Sequence, residues 1–287
     1  MDKIVAWLIY DKNGAVRNQS YIKMHQEEGK KLGIHVILKY AEDFTFGIHQ
    51  DQLLVLYQNK KEQLPDFVIC RTIYPFLSKC LEKAGIMVFN NSKVAEICND
   101  KAKTYAYLAG KGIPLIESIF LTNQEFVQNI EEVPIHSVIK AVDGHGGEQV
   151  FLKESNEQNE KIIKGIGRSN VIIQKLTGSL SKDVRVYIMG NKIIAAVCRT
   201  AKTGFKSNYS LGGDIALYSL NNEEEQLVYR IVKEFDFDLV GIDFLIGDDG
   251  KFILNEIEDV VGARMLYKCM DINLVGEYLG YILNKIH

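Results

Sequence analysis

Acidic residues interrupt an apolar segment near the carboxyl end of the chain, residues 239–262 (LVGIDFLIGDDGKFILNEIEDVVG). The pair Asp249-Gly250 is typical of a two-residue turn between antiparallel strands. Counting outwards from this turn places Asp243 directly opposite Glu256, with Glu258 on the same face. Carboxylates at that spacing repel each other by ~4 kcal/mol at an effective dielectric of about 20, so a cation is expected beside them. Mg²⁺ is suitable, because it binds one or two carboxylates together with substrate phosphates. A hairpin face in contact with water is the alternative.

A lysine and a glycine-rich turn follow one another in the middle of the chain. Lys140 lies near the end of the apolar strand SVIKA, and Gly144, Gly146 and Gly147 come soon after it. Glycines leave backbone N–H groups uncovered and a lysine adds a positive charge, which together suit a polyphosphate. The alternative is a turn that only reverses the chain.

A second candidate hairpin also carries charges among apolar residues. Asp183 and Arg185 alternate with valines, so they share one face of a strand. Arg199 ends the next strand, after a turn predicted at Gly190-Asn191. Counting from that turn places Arg199 on the face opposite to Arg185. A bulge or a twist is therefore needed if both residues belong to one site.

The loop that follows Arg199, TAKTGFKSNYSLGGD, is polar and contains glycine. Lys206 and Asn208 in this loop are donors for an anionic ligand. A solvated loop with surface charges is the alternative. Substrate contacts are expected in variable loops such as 41–65 and 200–213.

The elements that must position these residues fall into two parts. Residues 1 to about 90 alternate strands with helices, which predicts a parallel sheet covered by helices. From about residue 100, hairpins predict an α+β arrangement with antiparallel pairs, and the polar stretch 90–104 is the candidate boundary. The first strand-to-helix turn lacks G-x-G-x-x-G, and the chain lacks G-x-x-x-x-G-K-[ST], so neither a dinucleotide fingerprint nor a P-loop is expected.

Length and composition indicate an ordinary globular protein with room for two domains in 287 residues. The formal net charge of −3 gives no reason to expect binding to nucleic acid or to an anionic membrane. No apolar run reaches the roughly 20 residues that span a bilayer. The five cysteines lack C-x-x-C spacing and lie in apolar contexts, so we expect reduced thiols and a cytoplasmic location.

Taken in order, these segments resemble the ATP-grasp carboxylate–amine ligases, and most closely the RimK-like alpha-L-glutamate ligases. The resemblance covers residues 86–287 well and extends more loosely to the first domain, where DFVICRT resembles the family's strand ending in arginine. The matching stretches are NDKAKTYAYLAGKGIPL, VIKAVDGHGGEQVFLK, VIIQKLTGSLSKDVRVYIMGNKIIAAVCRTA, GFKSNYSLGGD and GIDFLIGDDGKFILNEIEDVVG.

The resemblance implies a fold of the α/β plus α+β class. An N-terminal Rossmann-like preATP-grasp domain would cover residues 1–92, and an ATP-grasp domain would cover 93–287. Within the second domain, a small lobe of about 104–173 and a large lobe of about 174–287 would clamp ATP between them.

The resemblance also implies roles for individual residues. The set that would bind ATP comprises Lys101, Lys140, Gly144, Gly146 and Gly147 at the phosphates, Gln174, Lys175 and Leu176 in the hinge facing adenine, Asp183 on the ribose side, and Lys206 as a further basic contact. The set that would hold Mg²⁺, with Mn²⁺ as a second choice, comprises Asp243, Glu256 and Glu258. The set that would act on the substrates comprises Arg199 and Asn208 at the acyl phosphate, Arg185 as a further catalytic residue, and Arg71 at a substrate carboxylate.

The implied reaction needs no protein nucleophile. A substrate carboxylate attacks the γ-phosphate of ATP, and an amine then displaces phosphate from the acyl phosphate. Catalysis would consist of positioning and of charge stabilisation. The chain departs from the family where Glu-x-Asn is usual, because Glu256-Ile257-Glu258 replaces the asparagine by an acid, and Val261 stands where Pro is usual before Gly.

Two other functions are compatible with the sequence. One is a nucleotide-binding regulatory protein that has lost turnover, and the other is an ATP-grasp kinase that stops at phosphorylation. The expected partners are small-molecule or peptide carboxylates and amines and further copies of the chain in a homo-oligomer, with no nucleic acid and no membrane.

Overall fold

The computed structural model describes residues 3–177, 182–201 and 214–287. The strands are β1 (Ile4–Tyr10), β2 (Ile34–Tyr40), β3 (Phe44–His49), β4 (Gln52–Tyr57), β5 (Phe67–Cys70), β6 (Met87–Phe89), β7 (Ser118–Leu121), β8 (Ser137–Ala141), β9 (Val150–Lys153), β10 (Val171–Lys175), β11 (Lys182–Met189), β12 (Lys192–Thr200), β13 (Asp214–Tyr218), β14 (Leu239–Ile246) and β15 (Phe252–Glu258). The helices are α1 (Lys12–Arg17), α2 (Gln19–Lys31), α3 (Pro75–Lys83), α4 (Ser92–Cys98), α5 (Lys101–Leu108), α6 (Asn123–Asn129), α7 (Asn159–Ile166), α8 (Asn222–Val232), α9 (Arg264–Cys269) and α10 (Leu274–Ile286). None of these helices is long and apolar enough to cross a membrane.

The first sheet is parallel, as the strand–helix alternation predicts. Its strands lie in the order β2-β1-β5-β6, and each neighbouring pair is parallel. β1 is buried on both faces, with Leu8 in one apolar core and Trp7 in another. Double burial explains why this strand is apolar along almost its whole length.

Two elements in the first part were not predicted. Residues 41–65, expected as a loop, contain the antiparallel hairpin β3–β4. Its turn has positive φ at Gln50 (49°) and Asp51 (61°), a conformation that the sequence usually signals with Asn-Gly. Helix α1 was also missed, although Asp11 caps it by accepting a hydrogen bond from the Gly14 N–H at 2.7 Å.

The strands from β7 onward form two antiparallel sheets, which confirms the predicted hairpins. The smaller has the order β7-β10-β8-β9 and the larger the order β13-β12-β11-β14-β15. A capping box formed by Thr122 and Glu125 opens α6. The predicted domain boundary at 92/93 falls at the start of α4, and the predicted lobe boundary at 173/174 falls inside β10; both boundaries stay predictions.

In the β14–β15 hairpin Asp243 lies opposite Glu256, as predicted, but the turn and the strand register between them differ from the prediction. The turn closes with a hydrogen bond from the Gly247 N–H to the Lys251 carbonyl oxygen (2.8 Å), not with a two-residue Asp249-Gly250 turn. This closure alone would shift the register by one residue. A bulge between Asp243 and Phe244 shifts it back, so that Asp243 pairs with Glu256.

The β11–β12 hairpin contains the bulge that a common site for Arg185 and Arg199 requires. The register shifts between Tyr187 and Ile188, and beyond the shift Asp183 pairs with Arg199. Arg199 therefore lies on the same face as Arg185.

The C-terminal helix α10 joins the first sheet to the large sheet. Leu8 and Phe67 of the first sheet share an apolar core with Leu279 of α10 and with Tyr187 and Leu239 of the large sheet. α10 starts after Asn273, whose side chain caps it by accepting from the Gly276 N–H. This packing covers one end of the large-sheet face and leaves the charged residues together at the other end.

Candidate active site

A row of charged side chains crosses one face of the large sheet. Pairing between strands places Arg199 beside Asp183, Arg185 beside Asp243, and Asp243 beside Glu256. Since the side chains of a strand alternate between its faces, all of these residues share a face. The sequence predictions for β11, β12, β14 and β15 thus converge on one place.

Asp243 is the centre of this row and is 0% exposed. Arg185 donates to it from Nε to Oδ1 and from Nη2 to Oδ2, both at 2.7 Å. Arg199 donates a further hydrogen bond from Nη2 to Oδ2 at 2.6 Å. Burial alone would raise the pKa of Asp243, but the two guanidinium groups lower it to about 2. The carboxylate is therefore charged at every physiological pH.

Each arginine also binds a second acid. Arg199 donates from Nε to Asp183 Oδ1 at 2.7 Å and from Nη2 to Asp183 Oδ2. Arg185 Nη2 forms an ion pair with Glu258 Oε1 at 2.7 Å. The sequence indicated that a cation must lie beside the acids, and the protein supplies that cation itself. A metal ion is consequently not required to relieve the repulsion between them.

The acids can nevertheless hold a divalent ion. Oxygen atoms of Asp243, Glu256 and Glu258 lie within 4.8 Å of one another. Lys101 contacts only Oε2 of Glu256, and Arg185 contacts only Oε1 of Glu258. Among the described residues the other oxygen of each glutamate has no partner. Carboxylate oxygens with free lone pairs are the ligands that Mg²⁺ prefers, so this donor set fits the ion.

Lys101 joins the glycine-rich turn to the acids. It is the first residue of α5, and its Nζ donates to the Gly144 carbonyl oxygen at 2.6 Å and pairs with Glu256 at 3.0 Å. Burial alone would raise the pKa of Glu256, but the charge and hydrogen bond of Lys101 and the charge of Lys140 together lower it. These two contacts join α5 and the glycine-rich turn to β15 of the large sheet.

Lys140 makes a second bridge between the two sheets. Its Nζ donates to Oδ1 of Asn255 at 2.8 Å. Burial lowers the pKa of Lys140 to about 8, with Glu256 opposing the shift and Lys101 adding to it. Asn255 was not predicted as a site residue. Its signal in the sequence is a second polar residue directly before Glu256, where strict alternation with Glu256 and Glu258 would place an apolar one.

The glycine-rich turn requires its glycines. Gly146 and Gly147 have φ angles of 66° and 75°, in the left-handed region that other residues rarely adopt. A Cβ on Gly144 would lie 3.2 Å from the Cβ of Ala141. The turn therefore keeps its backbone close to Lys101 and free of side chains at these positions.

Comparison with families of known proteins agrees with this geometry. Residues 98–282 match the RimK-like ATP-grasp domain, which is more than half of the chain. The chain belongs to the RimK-like ATP-grasp family. The predicted family and the predicted ATP-grasp fold are thereby confirmed.

Relatives of this RimK-like ATP-grasp chain include named ligases and synthases. A probable alpha-L-glutamate ligase of Legionella pneumophila (strain Corby) is 28% identical over 213 residues, which cover 71% of this chain and 70% of that protein. Human N-acetylaspartylglutamate synthase A is 29% identical over 251 residues, which cover 81% of this chain and 63% of that protein. The solved structure of ATP-grasp ligase PsnB complexed with minimal precursor, Mg and ADP has a TM-score of 0.68 at 18% identity, and the match covers 100% of this chain and 98% of that one.

The remaining predicted residues lie away from the acids or outside the described ranges. Gln174 is buried in β10, where its Nε2 donates to the Ser118 hydroxyl at 3.0 Å, while Lys175 is exposed and Leu176 half-buried. Contact of these three with adenine stays a prediction. Lys206 and Asn208 lie outside the described residues.

Arg71 lies at the end of β5, in the first part of the chain. Its Nη2 donates to the Val261 carbonyl oxygen at 2.8 Å, and Val261 follows Glu258 closely in the sequence. Tyr187, on the strand that carries Arg185, donates from its hydroxyl to the Gly262 carbonyl oxygen at 3.0 Å. The segment 259–262 therefore connects Arg71 to the charged row.

Proposed function

We propose that this RimK-like ATP-grasp protein is an ATP-dependent ligase that joins a carboxylate to an amine through an acyl phosphate, releasing ADP and phosphate. The observation that carries the proposal is the meeting of two sheets at one charged site. Lys101, Lys140 and the glycine-rich turn come from the small-sheet side, and paired acids and arginines come from the large sheet. The ligase and synthase names of the relatives support the same reaction class.

ATP would bind between the two sheets. Lys101, Lys140 and the turn of Gly144, Gly146 and Gly147 would contact its phosphates, since the positive charges of two buried lysines favour a negatively charged group beside the turn. Gln174, Lys175 and Leu176 would line the adenine, Asp183 would face the ribose, and Lys206 would add a basic contact. A Mg²⁺ or Mn²⁺ ion held by Asp243, Glu256 and Glu258 would neutralise phosphate charge when bound. The solved complex of PsnB with Mg and ADP supports this cofactor pair.

The arginines would stabilise charge on the reacting groups. Arg185 and Arg199 use Nε and Nη2 for their acid partners, and Nη1 of each has no partner among the described residues. Asp183 and Asp243 fix the planes of both guanidinium groups by paired hydrogen bonds. The free donors can then interact with the oxygens that gain charge during transfer. Asn208 is proposed to assist at the acyl phosphate.

The reaction balances without a protein nucleophile. An oxygen of the substrate carboxylate forms a bond to the γ-phosphorus, and the bond from that phosphorus to ADP breaks. The amine nitrogen then bonds to the acyl carbon, phosphate leaves with the attacking oxygen, and the amine loses a proton. We propose an amino acid of the glutamate type as the amine, because both named relatives carry glutamate in their names.

Product analysis tests this proposal. The purified chain is incubated with ATP, Mg²⁺, L-glutamate and a panel of small carboxylic acids and peptides, and ADP, phosphate and product masses are measured. The expected product has the summed mass of acid and amine less one water, with one ADP released per bond. A phosphate ester in place of an amide would identify a kinase, and ATP binding without turnover under every combination would identify a regulatory protein. Glu256→Gln is the matched variant and should form no product.

A further inference from the structure

One residue of β15 has no partner on the neighbouring strand β14. Leu254 and Glu256 pair with consecutive residues of β14, which leaves Asn255 between them as the extra residue of a bulge. An extra residue interrupts the alternation of side chains along a strand, and bulges next to active sites re-aim a side chain in this way. Two consecutive residues of β15, Asn255 and Glu256, can therefore both reach the small-sheet side.

Each of these two residues contacts a lysine from the small-sheet side. Oδ1 of the half-buried Asn255 accepts a hydrogen bond from the buried Lys140 Nζ at 2.8 Å. The next residue, Glu256, pairs with Lys101 at 3.0 Å. No carboxylate within residues 3–177, 182–201 and 214–287 forms an ion pair with Lys140. The amide oxygen of Asn255 is thus the hydrogen-bond acceptor of this ammonium group in the described chain.

An amide is suited to hold a lysine without cancelling its charge. An ammonium group has donors only, so the amide of Asn255 must turn its oxygen towards Lys140. A carboxylate in the same place would neutralise the lysine, and its negative charge would also repel that of the neighbouring Glu256. Asparagine supplies the acceptor and no charge, which leaves the positive charge of Lys140 for a ligand.

Loss of this acceptor would act on Lys140 in two ways. A buried ammonium group without a hydrogen-bond acceptor is costly, so the side chain would turn away or release its proton. Burial already lowers the pKa of Lys140 to about 8. Either change takes positive charge away from the site.

We propose that Asn255 is a positioning residue for ATP binding, which holds Lys140 charged and directed at the nucleotide phosphates. This inference rests on the proposed binding of ATP beside Lys140 and adds a residue to that site. The bulge then has a function, because it places the residue that holds Lys140 directly beside the metal-binding Glu256.

A double-mutant cycle with Lys140→Met tests the inference, with the affinity for a non-hydrolysable ATP analogue and Mg²⁺ measured by calorimetry. Asn255→Leu keeps the approximate size of the side chain. We expect it to raise the dissociation constant about tenfold in the wild-type background and less than about twofold in the Lys140→Met background. Asn129→Leu is the control and should bind as wild type does, since exposed Asn129 donates to the Glu125 carbonyl oxygen within α6.

Asn255→Asp separates the position of Lys140 from its charge. The variant has the same shape and keeps an acceptor for the lysine, so the melting temperature without nucleotide should not fall. Its negative charge should nevertheless raise the dissociation constant of the analogue about tenfold or more. A structural role of the side chain alone predicts wild-type affinity for this variant.

The outcomes separate this inference from the ligase proposal. Equal losses from Asn255→Leu in both backgrounds, or wild-type affinity in either Asn255 variant, would overturn the inference. If Asn255→Leu does not fold, Asn255→Asp decides. Amide formation by the wild type together with independent losses leaves the ligase standing without this role for Asn255. A coupled cycle without any amide product does the reverse, and no binding of the analogue to the wild type overturns both.

Discussion

At the scale of residues, positive and negative side chains at the site match each other closely. Every acid of the row has an arginine or a lysine within hydrogen-bonding distance. Removing one member of a buried ion pair is costly because its partner stays charged in a poor solvent. Substitutions in the row must therefore be compared with variants that control for folding. The balanced set comprises Lys101, Lys140, Arg185, Arg199, Asp183, Asp243, Glu256 and Glu258.

Lys140 provides a test of ATP binding with little change in folding. Its positive charge is buried and its only hydrogen bond among the described residues goes to Asn255. Lys140→Met should keep the melting temperature within a few degrees and weaken Mg²⁺–ATP binding at least tenfold by calorimetry. Lys103→Met is the control, since exposed Lys103 contacts Glu96 on the surface. Equal affinities in all three proteins would remove Lys140 from the ATP site.

His25 should make stability depend on pH. Burial lowers its pKa from 6.5 to about 4, against a hydrogen bond to the Tyr21 carbonyl and with help from the charge of Arg71. Because the folded pKa is depressed, the stabilisation is complete above pH 6.5 and is lost as the pH falls towards 4. The loss should reach about 3 kcal/mol, and urea unfolding of wild type and His25→Gln at several pH values measures it. Parallel pH profiles for the two proteins would contradict the assignment.

At the scale of elements, the sequence predicts which strands carry the site but not how their registers reach it. Turn residues and alternation are local, so they predict the hairpins at residues 183–199 and 239–258. Bulges depend on packing against neighbouring strands, and no local pattern marks the ones near Ile188 and Phe244. The prediction that Asp243 lies opposite Glu256 was correct because two departures from the simple count cancel. The turn closes at Gly247 and shifts the register by one residue, and the bulge between Asp243 and Phe244 shifts it back. The β3–β4 hairpin was missed because its turn lacks glycine.

Gly241 shows how closely these strands are packed. A Cβ at this position would lie 2.6 Å from Val261 Cγ2 and 3.3 Å from Arg185 Cδ. Gly241→Ala should therefore lower the free energy of unfolding by about 1–3 kcal/mol. In α10 a Cβ on Gly280 meets nothing within 4 Å, so Gly280→Ala should be neutral or stabilising by up to ~1 kcal/mol. Urea unfolding of both variants checks the contrast, and a neutral Gly241→Ala would contradict it.

At the scale of the whole molecule, the site forms where the small sheet meets the large one. Lys101 of α5 and Lys140 of the small sheet each contact a residue of β15 in the large sheet. The order of the motif segments allowed the family and its fold to be predicted, and the alternation of strands and helices allowed the parallel first sheet to be predicted, since hydrophobic patterns and motif order survive at low identity. The roles of Lys206 and Asn208, which lie outside the described residues, stay predictions, because contacts with a ligand depend on the partner molecule as well as on the chain.

Nucleotide binding should stabilise the whole molecule in a metal-dependent way. A Mg²⁺–ATP analogue at 100 times its dissociation constant should add about 2.7 kcal/mol to the free energy of unfolding, since it contacts both sheets. The rise in melting temperature should shrink when a chelator replaces Mg²⁺. The Glu256→Gln variant should lose the part of this stabilisation that depends on the metal ion. An identical shift with Mg²⁺ and with chelator would contradict the metal-binding role of the acids.

The central claim is that a substrate carboxylate takes the γ-phosphoryl group before the amine attacks. A carboxylic acid labelled with ¹⁸O at both oxygens, incubated with the protein, ATP, Mg²⁺ and the amine, tests it directly by mass analysis of the released phosphate. Our account predicts phosphate that carries one ¹⁸O and an amide that keeps the other. Unlabelled phosphate released together with the amide would contradict it.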